Sequence, residues 1–244
     1  YDINLILDGS ETRRRFFDAL IAQFDKNYLI ELLQYNKLLK QRNAFLKTKN
    51  KAIDLLEIYD DQMVDKAQAI FKSRNKFISE FTPVFSQFYK DISSNKEEVS
   101  LNYHSSLTSD SMKEIFLMNR TKDQLIGYTS SGIHRDDFHF SINTNPIKKF
   151  GSQGQQKTFL IALKLAKFEY IKMKKDITPV LLLDDIFDKL DDHRVGYILK
   201  LIEKNNLGQL FITDTSKDKI PNILKNLNIE SNLFWIENGN SSKL

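Results

Sequence analysis

A run of apolar residues that ends in two adjacent acids limits the fold more than any other segment. Pro179 is followed by the apolar stretch Val180–Leu183, and Asp184 and Asp185 come directly after it. A strand that is apolar at every position is typical of a parallel sheet covered by helices on both faces. Such a strand brings its last side chains to the carboxyl edge of the sheet, where open α/β sheets bind ligands. The segment therefore predicts an α/β fold with acids at that edge.

The two acids allow two interpretations. A carboxylate near a Mg²⁺ ion on a nucleotide, with a neighbour that orients the attacking water, is typical of phosphoryl-transfer sites. An acidic helix cap is the alternative, in which Asp184 or Asp185 accepts hydrogen bonds from backbone N–H groups. The residues alone leave both interpretations open.

The rest of the sequence divides into a helical part and a mixed part. From Arg13 to Tyr89 the chain has one proline, Pro83, and no glycine, and its apolar residues recur at helical spacing. We predict an all-helical lobe over residues 1–95. In residues 96–244 we predict strands near 99–103 and 138–142, a helix over 155–173 and a β-α-β unit with strands at 180–183 and 209–213. The polar stretch Asn238–Ser242 is predicted to be a flexible tail.

Composition excludes several classes of site. The 244 residues contain no cysteine, so disulfides and thiolate metal ligands are absent. His134, Asp136 and His139 lack the spacing of zinc ligands, and we predict that His134 and Arg135 form a hydrogen-bonded corner. A surplus of 36 basic over 32 acidic residues is compatible with a polyanion partner but does not require one. With no apolar run of about 20 residues, we expect a soluble cytoplasmic protein without a membrane partner.

A second candidate segment lies where the long helix begins. Gly151–Gly154 precedes that helix, so backbone N–H groups and the helix dipole could approach an anion. Ser152 could add a hydroxyl donor, and a glycine-initiated helix without a ligand is the alternative. The stretch is similar to the phosphate-binding loop G-x-x-x-x-G-K-[ST]. However, Gln156 stands before Lys157 where that loop requires glycine, so we reject this identification.

Together these segments resemble a known family. Ser152–Gln155 is similar to the signature motif of ABC-type ATPases, and Lys189–Asp191 is similar to the D-loop that follows the Walker B acid. Further segments, in the family's order along essentially the whole chain, narrow the resemblance to the RecF family of ABC/SMC-type ATPases. They are Arg13–Asp18, Tyr35–Asn36, Gln41–Asn43, Gly132–Asp137 (with Ile133 where the family has proline) and Phe211–Thr215.

The resemblance implies a fold and an incomplete nucleotide site. The fold would be the second half of an ABC/SMC-type ATPase head, of the P-loop NTPase class, with an inserted helical lobe. Residues 1–95 would form that lobe (lobe II), and residues 96–244 would carry the signature motif, Walker B acids and D-loop. Nothing in the sequence matches a Walker A loop. We therefore expect a fragment that lacks the N-terminal Walker A part and is inactive alone, although the family is a weak DNA-dependent ATPase.

The family's functional residues map onto this sequence one by one. ATP would bind between two protomers with Mg²⁺. The signature motif Ser152–Gln155 would act in trans, with γ-phosphate contacts from Ser152, Gln153 and Gly154. Asp184 would hold Mg²⁺ and Asp185 would orient the attacking water. Asp191 would be the D-loop acid, and the switch would be formed by Thr213, Asp214 and Thr215.

The resemblance also implies a role in DNA repair. We expect an ATP-dependent homodimer that binds DNA at gaps and single-strand/duplex junctions. It would assist RecA loading with RecR and RecO in recombinational repair and the SOS response, associated with the bacterial nucleoid. Candidate DNA contacts are Arg13, Arg14, Arg15, Lys37 and Lys40, with a solvated helix face as the alternative.

Two other functional classes remain. One is another SMC-type ATPase head, although the inserted helical lobe is far shorter than the long heptad coiled coil of those proteins. The other is a non-catalytic helical adaptor or DNA-binding module that retains only the head scaffold.

Overall fold

The computed structural model describes residues 3–48, 53–107, 112–184, 190–204, 208–215, 219–227 and 230–243. Within them the helices are α1 (Asn4–Leu7), α2 (Ser10–Ile21), α3 (Lys26–Leu46), α4 (Ile53–Ser93), α5 (Met112–Ile126), α6 (Ile147–Phe150), α7 (Gln153–Lys175), α8 (Asp192–Lys204) and α9 (Lys219–Asn226). The strands are β1 (Val99–His104), β2 (Asp137–Ile142), β3 (Asn145–Pro146), β4 (Leu181–Asp184), β5 (Leu210–Thr213), β6 (Phe234–Glu237) and β7 (Asn240–Lys243). A 3-10 turn spans Ile133–Arg135. No helix in these ranges is long and apolar enough to cross a bilayer.

The chain forms two compact units, each made of separate stretches of sequence. The first unit comprises Tyr1–Thr82 and Ser100–Ser141, and the second comprises Pro83–Val99 and Ile142–Leu244. Helix α4 contributes to both, because the boundary falls at Pro83 inside it. The division into domains at residue 95 stays a prediction.

Aromatic side chains from helices and strands build the core of the first unit. Phe17 of α2 is fully buried, and its ring lies 4.3 Å from that of Phe138 on β2. The rings of Phe77 and Phe81 on α4 lie 6.1 Å from Phe17. The apolar residues at helical spacing therefore face one core, as their period predicts.

Two buried arginines cross-link the first unit. Arg42 of α3 donates to Asp60 of α4 and to Asp123 of α5, both at 2.7 Å. Arg74 of α4 donates to Asp18 and Asp136 at 3.0 and 3.1 Å. Each guanidinium is matched by two carboxylates, so the charges can be buried without being left unpaired.

Helix α7 organises the second unit. Its apolar side is buried, and the Phe159 ring lies 4.6 Å from Phe85 and 6.1 Å from Tyr89 on α4. The helix ends where Asp176 adopts the left-handed conformation at φ 50°, with Lys174 and Lys175 in the last turn. These end signals agree with a long helix that begins after Ser152.

Strands β4 and β5 form the predicted parallel pair, but only one of their faces is covered. Leu181 and Leu183 are buried, whereas Leu182 is 64% exposed and its register partner Phe211 is 52% exposed. The prediction that β4 is buried on both faces is therefore wrong in this structure. Because strand side chains alternate between faces, packing on one face leaves every second residue open.

The predicted flexible tail is a β-hairpin. Strand β6 pairs antiparallel with β7, and the turn consists of Asn238 and Gly239 at φ 51° and 79°. Two successive positive φ angles in an Asn-Gly pair are typical of the type I′ turn, whose twist matches a two-stranded hairpin. The prediction of a flexible tail was wrong because it was based on the polar composition of the segment and did not consider the Asn-Gly turn.

Candidate functional site

The acid predicted to bind Mg²⁺ lies at the carboxyl end of β4. Asp184 is exposed and is in register with Thr213 at the end of β5. The Thr213 hydroxyl donates to Asp184 Oδ1 at 2.5 Å. Asp214 and Thr215 follow directly, half-buried and exposed respectively. The structure therefore brings the predicted Walker B acid and the first switch residue together at one sheet edge.

Asp185, the predicted water-orienting acid, and Lys189 of the D-loop lie outside the described residues. Their roles stay predictions. Leu190, the next residue along the chain, is buried.

The predicted signature segment forms a reciprocal cap at the start of α7. The backbone N–H of Gln155 donates to Ser152 Oγ at 3.2 Å, and the N–H of Ser152 donates to Gln155 Oε1 at 2.8 Å. Ser152 and Gln153 are exposed, and Gly154 is half-buried. This capping box fixes the serine at the positive end of a 23-residue helix, where an anion is favoured.

A glycine is required just before the signature serine. A Cβ atom on Gly151 would lie 2.6 Å from Ile147 Cγ1 and 2.7 Å from the Ile147 carbonyl oxygen. Gln156 reinforces this corner, because its Nε2 donates to the Gly151 carbonyl at 3.1 Å. Gln156, which excluded the Walker A interpretation, therefore has a structural role here.

The predicted D-loop acid directly precedes α8 and is joined to α7 through an arginine. Asp191 Oδ1 accepts from the backbone N–H of Arg194 at 2.8 Å, so Asp191 caps the helix. Arg194 Nη1 donates to Thr158 Oγ1 of α7 at 2.7 Å, and its Nη2 donates to Glu97 at 3.0 Å. The predicted signature and D-loop residues thus share a hydrogen-bond network.

Glu97 is the carboxylate at the centre of that network. It accepts from Tyr89 at 2.5 Å, from Gln155 at 3.1 Å and from Arg194. Burial acts to raise its pKa, but the hydrogen bonds from Tyr89 and Gln155 and the charge of Arg194 outweigh burial and leave the pKa lowered. The pKa of Tyr89 is raised by burial and by its hydrogen bond to Glu97. Glu97 is therefore held as an anion and Tyr89 as a neutral phenol.

Sequence reasoning missed Glu97 and Arg194. Arg194 follows Asp191 by three residues on a helix, so its ion pair with that acid could have been predicted from spacing. Glu97 has no comparable signal, because its partners Gln155 and Arg194 are 58 and 97 residues away.

The predicted DNA-contact residues fall into two groups. Arg13 makes a two-point contact with Asp137 at 2.8 and 2.9 Å, and Arg14 donates to the Asp136 carbonyl at 2.6 Å. Arg15 is 78% exposed and pairs with Glu11 on its own helix. Lys37 and Lys40 are exposed on α3. Arg13 and Arg14 therefore stabilise the first unit, whereas the other three present charge to solvent.

The predicted corner around His134 is present, with one difference. His134 Nδ1 is 2.8 Å from the Tyr35 hydroxyl, and its Nε2 is 3.1 Å from the Thr129 carbonyl. Arg135 instead lies over the Tyr128 ring at 5.4 Å. Among the residues that the structure describes, no three His, Asp or Glu side chains are grouped so that they could hold a metal ion.

Comparison with known proteins agrees with this geometry. No protein-family model matches the chain. The chain is 46% identical over 240 residues to the DNA replication and repair protein RecF of Phocaeicola vulgatus, which covers 98% of this chain and 65% of that protein. It is also 46% identical over 237 residues to the protein of the same description from Flavobacterium johnsoniae, covering 96% and 66%. The chain therefore spans just under two thirds of the length of these relatives.

Solved structures give the same result. A RecF structure with ATP, described in the RecFOR pathway, matches all of this chain and 65% of its own, with a TM-score of 0.81 at 33% identity. A RecF–ATPrS structure matches with a TM-score of 0.78 at 36% identity. The Smc head domain of Pyrococcus furiosus shares the fold, with a TM-score of 0.50 at 15% identity.

The fold and its likeness to the solved RecF structures define part of an ABC/SMC-type ATPase head. Sequence identity then narrows the class. The chain belongs to the RecF family.

Proposed function

We propose that this chain supplies the trans half of an ATP site in a RecF-type DNA repair ATPase. Two copies would close on ATP, with Ser152–Gln155 and Asp191 of one copy facing the nucleotide held by the other. Asp184 would hold Mg²⁺ and Asp185 would orient the attacking water. The loop that grips the phosphates in cis would come from the part of RecF relatives that this chain does not match.

The observation that carries the proposal is the pairing of Asp184 with Thr213 at the ends of parallel strands in a chain 46% identical to RecF relatives. An exposed carboxylate beside a hydroxyl offers only oxygen ligands. Mg²⁺ prefers such ligands, and it is usually bound by one or two carboxylates together with substrate phosphates. The described residues therefore fit a nucleotide-bound Mg²⁺ ion, which would neutralise charge on the phosphates.

The ATP-closed dimer would bind the DNA backbone without reading bases. Arg15, Lys37 and Lys40 present the exposed charges for phosphate contacts, and such binding weakens steeply with salt. Gapped DNA and single-strand/duplex junctions would be the preferred sites. RecR, RecO and RecA would be the protein partners in recombinational repair and the SOS response, in the cytoplasm and at the nucleoid.

An ATP-dependent dimerisation assay tests the proposal. The assay uses a RecF-length protein, defined here as this chain joined to the part of the Phocaeicola vulgatus relative that lies outside the match. With ATP and Mg²⁺, the Asp185→Asn variant should remain a dimer in sedimentation, because it binds ATP without hydrolysing it.

Two comparisons complete the assay. Asp176→Asn removes one exposed charge outside the site and should dimerise and dissociate like the unsubstituted protein. This chain alone should bind labelled ATP feebly. A monomeric Asp185→Asn variant with ATP and Mg²⁺ would contradict the proposed role, and a non-catalytic adaptor would then explain the chain better.

A further inference from the structure

One carboxylate joins three segments of the second unit. Glu97 lies between α4 and β1, and its side chain is only 12% exposed. Its Oε2 accepts from the Tyr89 hydroxyl, and its Oε1 accepts from both Gln155 and Arg194. Three polar side chains thus donate to a single carboxylate, and a buried network of this kind is stable only when each member keeps its position.

The contact with Gln155 reaches the signature serine. The Gln155 amide donates through Nε2 to Glu97, while its Oε1 accepts from the backbone N–H of Ser152. A planar amide engaged at both ends cannot rotate without breaking one of the two bonds. The position of Glu97 therefore determines the orientation of the Gln155 half of the capping box.

The contact with Arg194 reaches the D-loop. Arg194 binds Glu97 through Nη2 and Thr158 of α7 through Nη1, and its Nε lies 3.5 Å from Asp191 Oδ2. A guanidinium is a rigid planar fork, so fixing two of its nitrogens also fixes the third. Glu97 therefore acts on Asp191 through one residue, Arg194.

Glu97 is itself supported by packing. Tyr89, whose hydroxyl binds it, is fully buried, and its ring lies 6.1 Å from Phe159 of α7. Glu97 is thus anchored through Tyr89 to the aromatic core of the second unit, which restricts the movement of its side chain. A side chain locked by its surroundings is what a precisely positioned site requires.

We infer that Glu97 is a positioning residue that holds the signature serine and the D-loop acid in one fixed geometry. This inference rests on the proposed function, in which Ser152 and Asp191 of one copy face the same nucleotide in the other. Two contacts that must meet one ligand together gain from a rigid connection, because less conformational freedom is lost on closure. Without Glu97, each motif would still fold and Arg194 would keep its bond to Thr158, but the carboxylate that joins Gln155 to Arg194 would be lost.

Hydrogen exchange on this chain tests the connection without nucleotide. In Glu97→Ala, the backbone amides of Gln155 and Arg194 should both lose protection by about tenfold or more, because both caps loosen. The matched control is Glu98→Ala, which removes the adjacent acid. Glu98 is exposed, and its backbone rather than its side chain binds Asn143. Unchanged protection at either amide in Glu97→Ala would overturn the connection.

ATP hydrolysis by the RecF-length protein tests the functional consequence. Glu97→Ala should lower kcat at saturating ATP by about tenfold or more and leave KM within about twofold, because the cis phosphate grip is untouched. Glu97→Gln keeps the side-chain shape, and its kcat should lie between those of Glu97→Ala and the unsubstituted protein. A double variant with Arg194→Ala should lose less than the product of the two single effects, because the bond between Glu97 and Arg194 is already lost in either single variant. A kcat equal to that of Glu98→Ala, or an additive double variant, would overturn the role.

The two assays separate the inference from the proposal beneath it. If the unsubstituted RecF-length protein neither dimerises with ATP nor hydrolyses it, the proposed function fails. The exchange result then still decides whether Glu97 connects the two motifs. If the protein is active and Glu97→Ala matches its control in both assays, the inference fails and the proposed function stands.

Discussion

Asp184 and Thr213 occupy one register position at the ends of two parallel strands, and the threonine hydroxyl donates to the aspartate carboxylate. The bond holds one oxygen of the acid along the sheet edge and leaves the other free to face a ligand. The neighbouring strand therefore determines the orientation of the predicted Mg²⁺ ligand. A hydroxyl in this place cannot titrate near neutral pH, unlike a histidine.

Removing that hydroxyl should weaken Mg²⁺-dependent activity. In the RecF-length protein, Thr213→Val should raise the Mg²⁺ concentration needed for ATP-dependent dimerisation by about 10- to 100-fold, the usual effect of losing the partner of a metal ligand. Thr213→Ser keeps the hydroxyl and is the matched control. Sedimentation across a Mg²⁺ series measures the effect, and equal Mg²⁺ requirements for the two variants would show that the bond has no such role.

The buried arginine Arg74 should be indispensable to the first unit. Its side chain is 1% exposed, and its guanidinium lies between Asp18 and Asp136. Arg74→Met removes the cation and leaves two carboxylates without their partner, which should lower the free energy of unfolding by about 3–5 kcal/mol. Urea unfolding of this chain measures the loss. An Arg74→Met variant that no longer unfolds cooperatively would also agree with this prediction.

The control for Arg74 is an exposed pair. Arg15→Met breaks the contact with Glu11, in which both side chains are more than two-thirds exposed. Its effect should stay within about 0.5 kcal/mol, because exposed ion pairs contribute little. Comparable losses for the two variants would contradict the importance assigned to burial.

His134 should make the first unit sensitive to acid. Burial, aided by the charges of Arg135 and Arg14, lowers its pKa to about 4. In the unfolded chain its pKa is near 6.5, so between those values only the unfolded state takes up a proton. Stability should therefore fall as pH drops from about 6.5 to 4, with no contribution from His134 above that window.

Urea midpoints at a series of pH values measure this effect. His134→Gln retains a polar group without a titrating ring, so the part of the acid sensitivity that comes from His134 should be absent. The variant is less stable at pH 7 than the parent if the contacts to Tyr35 and Thr129 are lost, and that offset does not alter the slope. An unchanged slope in the variant would assign the acid sensitivity to other groups.

Local patterns predicted most of the elements that build the site. The helical period predicted the helical character of α2 to α4, and the glycine–serine segment predicted the start of α7, where the structure forms a capping box within four consecutive residues. The apolar run before Asp184 predicted the strand and its acidic end. In each case the determining contacts lie within one turn or one strand.

What the sequence did not predict depends on contacts between distant residues. Arg13 and Arg14 look like surface charge, but they bind Asp137 and Asp136, which are 124 and 122 residues away. Glu97 offers no signal before α7 and α8 are placed beside it. The open face of β4, at Leu182, likewise depends on what packs against the strand and not on its own residues.

The division of α4 at Pro83 limits how this protein can be cut. Each compact unit combines chain from before and after residue 95, so a shortened version that ends near this residue would lose β1 and β2 from one unit and α7 from the other. Neither piece could form its hydrophobic interior alone. Deletion boundaries for expression should therefore keep both units whole, and a single protease cleavage in the loop after α4 should leave two fragments that stay associated until denatured.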